Sequence, residues 1–202
     1  MFLKRNKKRE LRVIFLYTIA SFLTDTILIS FNAKQYPVLN FTVLSIFTFL
    51  EFFFLTTFIY LNISAALFKK IILFSGTAFI IFCISHYIFK LGNQKFDTLP
   101  ASIESLLVLI YCILYFVDNV NQTRESFLYE GYQFWIIVGI LLYLAGTLFL
   151  FIFSSSFTAS EMHTFWNINY FLNILKNSLF AIAFFMKKET TNNLTMQNRY
   201  NI

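Results

Sequence analysis

Six apolar stretches divide the chain, at roughly 12–31, 38–61, 71–90, 100–117, 132–153 and 164–186, with short polar links between them. The hydrocarbon core of a bilayer is about 30 Å thick and an α-helix rises about 1.5 Å per residue, so a spanning helix needs about 20 mostly apolar residues. All six stretches are of that order. The pattern therefore predicts an all-α fold, a polytopic transmembrane helical bundle over 12–186. A basic tail at 1–11 precedes it, and a polar tail at 187–202, without periodicity and expected to be disordered, follows it. Short links make sequential helices antiparallel neighbours. The first stretch is too long for the h-region of a signal peptide and no A-x-A-like site follows, so it reads as a retained anchor.

Composition agrees with this pattern. Of 202 residues 58% are hydrophobic and 13% charged, against about 25% charged in soluble domains. The 29 phenylalanines are the bulk expected at lipid-facing positions. Cys83 and Cys112 both fall inside apolar stretches and outside any C-x-x-C pair, which predicts small buried hydrophobes rather than a disulfide, zinc or redox motif.

Charge sets the expected orientation. The net charge of +6 is concentrated in Lys4, Arg5, Lys7, Lys8, Arg9 and Arg12, a cluster that abuts the first span and ends on its first residue. That is how the cytoplasmic flank of a membrane helix looks, and it argues against nucleic acid as a partner. With the N-terminus inside, 12 Lys and Arg fall on the cytoplasmic side and three (Lys34, Lys90 and Lys95) outside, while Lys176 lies within the last span. This split follows the positive-inside rule and places both termini in the cytoplasm. The expected location is the bacterial inner (cell) membrane, with the lipid bilayer as the first partner.

Pro37 and Pro100 stand at the outer starts of spans two and four, where a missing N–H costs nothing. Gly139 and Gly146 are seven apart on span five and share a face, which marks close helix packing.

Candidate chemistry lies in the ionisable residues within the spans: Asp25, Glu51, His86, Glu104 and Lys176. A charge at the centre of a membrane helix costs about 2.5–3.5 kcal/mol on insertion scales, so such groups face the interior and pair. Glu51 and Lys176 lie at matching mid-membrane depth with opposite sign and are expected to interact, directly or through water. Whether that pair is functional or only holds helix order is open at this stage. Asp25, His86 and Glu104 fall in the outer half. His86 is the natural pH-sensing side chain, although an interfacial histidine without function is the plainer reading. Glu104 is near enough to the surface for solvation to be one of two open readings. On span six Asn169, Asn173, Lys176 and Asn177 share one helix face. Tyr17, Ser21, Thr24 and Asp25 do so on span one, and Ser45, Thr48 and Glu51 on span two. Spans one, two, four and six are thus expected to turn polar stripes toward a shared interior that opens outward. The candidate ligand-binding or polar-interior set is Asp25, Glu51, His86, Glu104, Asn169, Asn173, Lys176 and Asn177. No catalytic or metal-binding residue and no cofactor is indicated. P-loop, G-x-G-x-x-G, H-E-x-x-H and G-x-S-x-G strings are absent, and an enzyme is not expected.

Four segments carry a resemblance: FWIIVGILLYLAGTLFLF (Phe134 to Phe151), WNINYFLNILKNSLFAIAF (Trp166 to Phe184), IESLLVLIYCILYF (Ile103 to Phe116) and FLEFFFLTTFIY (Phe49 to Tyr60). Together they resemble a group of small polytopic membrane proteins of Bacteroidota, similar to the membrane sensor part of histidine kinases. The resemblance implies a signalling role beside a cytoplasmic protein such as a histidine kinase and transfers no functional residue. The expected function is a membrane-embedded sensor or receptor module acting through a separate cytoplasmic partner. The alternative is a small-solute or ion transporter or channel using Glu51 and Lys176. Homo-oligomerisation is left open.

Overall fold

The computed structural model describes residues 2–31, 36–89, 98–121, 129, 131–153 and 159–186. Six α-helices run through the described residues: α1 (Phe2–Ser30), α2 (Pro37–Asn62), α3 (Ala66–Phe89), α4 (Thr98–Asn121), α5 (Tyr132–Phe153) and α6 (Ala159–Phe185). Each contains a stretch of 19 to 26 residues long and apolar enough to cross a membrane. At about 1.5 Å per residue every one matches or exceeds the hydrocarbon thickness. The all-α, six-helix expectation holds. The tail 187–202 and the loop cations Lys34, Lys90, Lys95, Arg124, Lys187, Lys188 and Arg199 lie outside the described residues.

Helix ends differ from the apolar stretches for local reasons. The helix over the basic N-terminal residues is continuous with the first span, because nothing between Phe2 and Ser30 breaks it. Pro37 stands at the start of α2, and the Asn40 amide ties that turn down by donating to the carbonyls of Phe31 and Tyr36 at 3.2 and 3.1 Å. Pro100 likewise sits in the first turn of α4. At the other end α4 continues past 117 as far as Asn121 and carries Asp118, which is 4% exposed. Its carboxylate accepts the backbone N–H groups of Ser64 and Ala65 at 2.7 and 3.1 Å. These are donors at the N-terminal end of α3, so an anion satisfies them and also meets the positive end of the helix dipole. Asp118→Ala is expected to cost about 1.5–3 kcal/mol, because two backbone donors lose a charged acceptor. Unfolding of the purified protein in detergent measures this, and unchanged stability would show that the α2–α3 link holds without the clamp.

α2, α4 and α5 bury the largest share of their spans, while α1, α3 and α6 present most of theirs outward. α5 packs most extensively on α6, α1 on α2, and α4 on α5. Gly139 and Gly146 both face α6, against Phe180, Leu179 and Leu172, as the shared glycine face anticipates. α3 is held more lightly, with Phe52 of α2 packed on Phe79 (ring centroids 4.4 Å) and beside Gly76. A 2.7 Å hydrogen bond between the hydroxyls of Ser75 and Tyr111 adds an α3–α4 tie. Cys83 and Cys112 are free and buried in the core.

The outer surface is apolar, with Phe22, Ile29, Phe74, Phe89 and Phe185 among the most exposed side chains. Hydroxyls on that surface bond within their own helix. Thr26, Ser30, Thr42, Thr77 and Ser178 each donate to the carbonyl four residues back, at 2.8–2.9 Å. Hydrocarbon offers no partners, so this local bonding lets polar residues sit there.

Candidate functional site

Five helices converge on one buried polar group of side chains: Tyr17 from α1, Glu51 from α2, Glu104 from α4, Tyr143 from α5 and Lys176 from α6. Tyr17 is fully buried, Lys176 is 1% exposed, Glu104 2% and Glu51 6%. The Lys176 ammonium donates to the Tyr17 hydroxyl at 2.5 Å, and that hydroxyl donates to Glu51 Oε1, also at 2.5 Å. Glu51 and Lys176 thus interact, as their depth and sign predict, but through a phenol rather than directly or through water. Tyr17 occupies the space between them.

Aromatic faces complete the shell around the ammonium. Its Nζ lies 3.8 Å from the centroid of the Tyr143 ring and 4.8 Å from that of Tyr17. A desolvated ammonium over an aromatic face gains about 2 kcal/mol or more. The quadrupole of Tyr143 therefore supplies stabilisation to an ammonium that is shielded from bulk solvent. Phe180 packs edge-on to Tyr17 at 6.2 Å and fixes the ring that carries the bridging hydroxyl.

α1 is pinned at a second level on the same face. Glu10, Ile14, Tyr17 and Ser21 are all buried, with spacing of three and four residues. The Tyr132 hydroxyl at the start of α5 donates to Glu10 Oε2. Glu10 was hidden in the sequence by the basic cluster around it.

The remaining candidates fall at different distances from this centre. Glu104 is buried rather than solvated, because α4 turns its carboxyl inward; its Oε1 has no hydrogen-bond partner. It lies within electrostatic reach of both Glu51 and Lys176. Asp25 is exposed on α1, yet it too feels Lys176. His86 stays apart, half-buried between the rings of Phe82 and Tyr87 at 5.4 and 5.9 Å. The expected stripe on α6 splits. Asn169 and Asn173 are half-buried, whereas Asn177 is exposed and donates to Asn173 Oδ1 at 3.3 Å. Only Lys176 of that stripe enters the centre, since four residues at three- and four-residue spacing spread over too wide an arc to share one contact. Tyr143 was missed because α5 is the most apolar span. Its position between Gly139 and Gly146, on the face that α6 approaches, was the available signal.

The described centre is closed. It holds an ammonium, two phenols and two carboxyls in an apolar bundle, with Lys176, Tyr17 and Glu51 joined in that order, Glu104 alongside and the Tyr143 ring against the ammonium. Such a chain can pass a proton between its ends or change shape when one member gains or loses charge. Among the described residues no group of three or more His, Cys, Asp or Glu could hold a metal ion. Comparison with protein-family models, with curated proteins and with solved structures found no match to this chain.

Proposed function

We propose that this chain is a multi-pass protein of the bacterial cell membrane, with both termini cytoplasmic, and that it works as a sensor or receptor module. The Tyr17–Glu51–Lys176 network is the sensing element, and a separate cytoplasmic signalling protein, such as a histidine kinase, reads its state. One observation carries this reading. Tyr17, the bridge of the network, stands on a helix that runs unbroken from Ser30 to Phe2 and ends in the basic cluster. A change of charge at the network therefore acts on a rod whose far end lies where a cytoplasmic partner would bind.

A second reading, a small-solute or ion transporter or channel, is favoured by a different observation: two buried carboxyls share one ammonium, and one carboxyl oxygen has no partner.

One pair of measurements separates them. A photo-cross-linker placed at the exposed Arg9 in native membranes is expected to capture a signalling protein, and Glu51→Gln is expected to change the yield severalfold. Proteoliposomes of the same protein are expected to show no proton or cation flux. Flux that Glu51→Gln abolishes, with no partner captured, would replace the sensor reading by the transporter. Orientation is tested by a reporter fused after Ile202, expected to be active in the cytoplasm; an extracytoplasmic signal would overturn the six-span topology.

A further inference from the structure

Four carboxyls are buried among the described residues: Glu10, Glu51, Glu104 and Asp118. Three of them receive a donor. Tyr132 donates to Glu10, Tyr17 to Glu51, and the backbone N–H groups of Ser64 and Ala65 to Asp118. Glu104 receives none among the described residues, and its enclosed Oε1 is unpaired. It is also the most deeply buried of the four, at 2% exposed. No buried cation is free to offset it. Lys176 is the one buried cation among the described residues, and its ammonium is committed to the Tyr17 hydroxyl at 2.5 Å and to the Tyr143 ring at 3.8 Å. The neighbouring hydroxyl on α4, that of Ser105, gives its hydrogen to the Ala101 carbonyl at 2.9 Å. A carboxylate taken out of water without donor or counter-charge is so costly that the group neutralises by holding a proton.

We propose that Glu104 is a proton-binding site, which carries its proton at neutral pH while Glu51 stays ionised. Environment sets the two roles apart. Glu51 has a phenol donor and shares that phenol with an ammonium, and Glu104 has neither. The titratable groups within electrostatic reach of Glu104 are Tyr17 on α1, Glu51 on α2, Cys83 and Tyr87 on α3, Tyr143 on α5 and Lys176 on α6. On release the O–H bond breaks, its electron pair stays on the carboxylate and the proton passes to water. The interior then holds a second anion, with its ammonium already engaged. As the ligand of a sensing centre, the proton rests on the sensor reading above. As the occupant of Glu104, it rests on burial and missing donors alone and is measured without any cytoplasmic partner.

Infrared spectroscopy of the purified full-length protein, in a detergent without ester groups, reads the proton directly, because a protonated carboxyl has a carbonyl band apart from those of carboxylates and amides. Such a band is expected at neutral pH. Glu104→Gln should remove it and Glu51→Gln should leave it in place. Thermal unfolding supplies a second measurement. An unfolded Glu104 is ionised above about pH 4.3, so folding takes up a proton and stability falls as pH rises. Glu104→Gln has no proton to take up. The melting temperature of the parent is therefore expected to fall relative to that of the variant between about pH 5 and about pH 8. If Glu104→Gln does not fold, Glu104→Asp decides, by shifting the band rather than leaving it where it was. Absence of the band at neutral pH would overturn the proposal. So would a band that neither Glu104 variant alters, one that Glu51→Gln removes instead, or melting temperatures that run parallel with pH.

Discussion

Lys176→Met is expected to destabilise the protein by about 3–5 kcal/mol, the usual cost of removing one member of a buried charged pair. Methionine has a similar length and an unbranched stem, so little cavity is left and the cost is electrostatic. With the ammonium gone, the Tyr17 hydroxyl loses its donor and Glu51 remains among apolar side chains with Tyr17 alone. The face of Tyr143 also loses its cation. Chemical or thermal unfolding in detergent, followed by near-ultraviolet circular dichroism, measures the change. The double variant Lys176→Met, Glu51→Met should regain most of the loss, because replacing both partners by apolar groups removes the uncompensated charge. A single variant as stable as the parent would show that the ammonium holds nothing together. Lys176→Arg is not a neutral swap: a planar guanidinium cannot present one point charge both to the Tyr17 hydroxyl and to the Tyr143 ring.

Gly139→Leu is expected to act on the same centre from outside it. A Cβ at Gly139 would lie 3.2 Å from Phe180 Cε1, 3.3 Å from Leu179 Cβ and 3.4 Å from the Lys176 carbonyl oxygen. Two of these three atoms belong to the α6 backbone or lie next to it, so a larger side chain must push the helix rather than a rotamer. Overpacking of this kind costs about 1–3 kcal/mol. Here it also carries Lys176 away from Tyr17. Gly146→Ala meets only the outer atoms of the Leu172 side chain, which can turn aside, and is expected to cost less. The distinguishing measurement is a double-variant cycle. If Gly139→Leu works by displacing the ammonium, its cost combined with Lys176→Met falls short of the sum of the two. Strict additivity would mean that the helix shift leaves the network intact.

The number and extent of the helices were legible in the sequence because hydrophobic length is a local property. Even so, the apolar stretches understated α3 and α4, where Asp118 near the end of α4 reaches the backbone of Ser64 and Ala65 in the link just before α3. The pairing of Glu51 with Lys176 was also legible, since depth along the membrane normal can be counted residue by residue. Tyr17 as their bridge, Tyr143 as the aromatic platform and the burial of Glu104 were not. Each depends on how far a helix is rotated about its axis and on which neighbour it meets. An isolated amphipathic stripe gives the rotation only to within a wide arc, as the outward turn of Asn177 beside the buried Lys176 shows.

By itself the sequence determined six apolar helices, the position of each ionisable group along its helix and the glycine face on which α5 meets its neighbour. Only the tertiary structure decided that five helices meet at one ammonium, that a phenol carries the contact between Lys176 and Glu51, and that Glu104 turns inward with an oxygen left unpaired. The physical reason is dimensional. Hydropathy along the chain is a one-dimensional quantity that fixes position across the bilayer, while lateral contact within it comes from the packing of side chains from all the helices together.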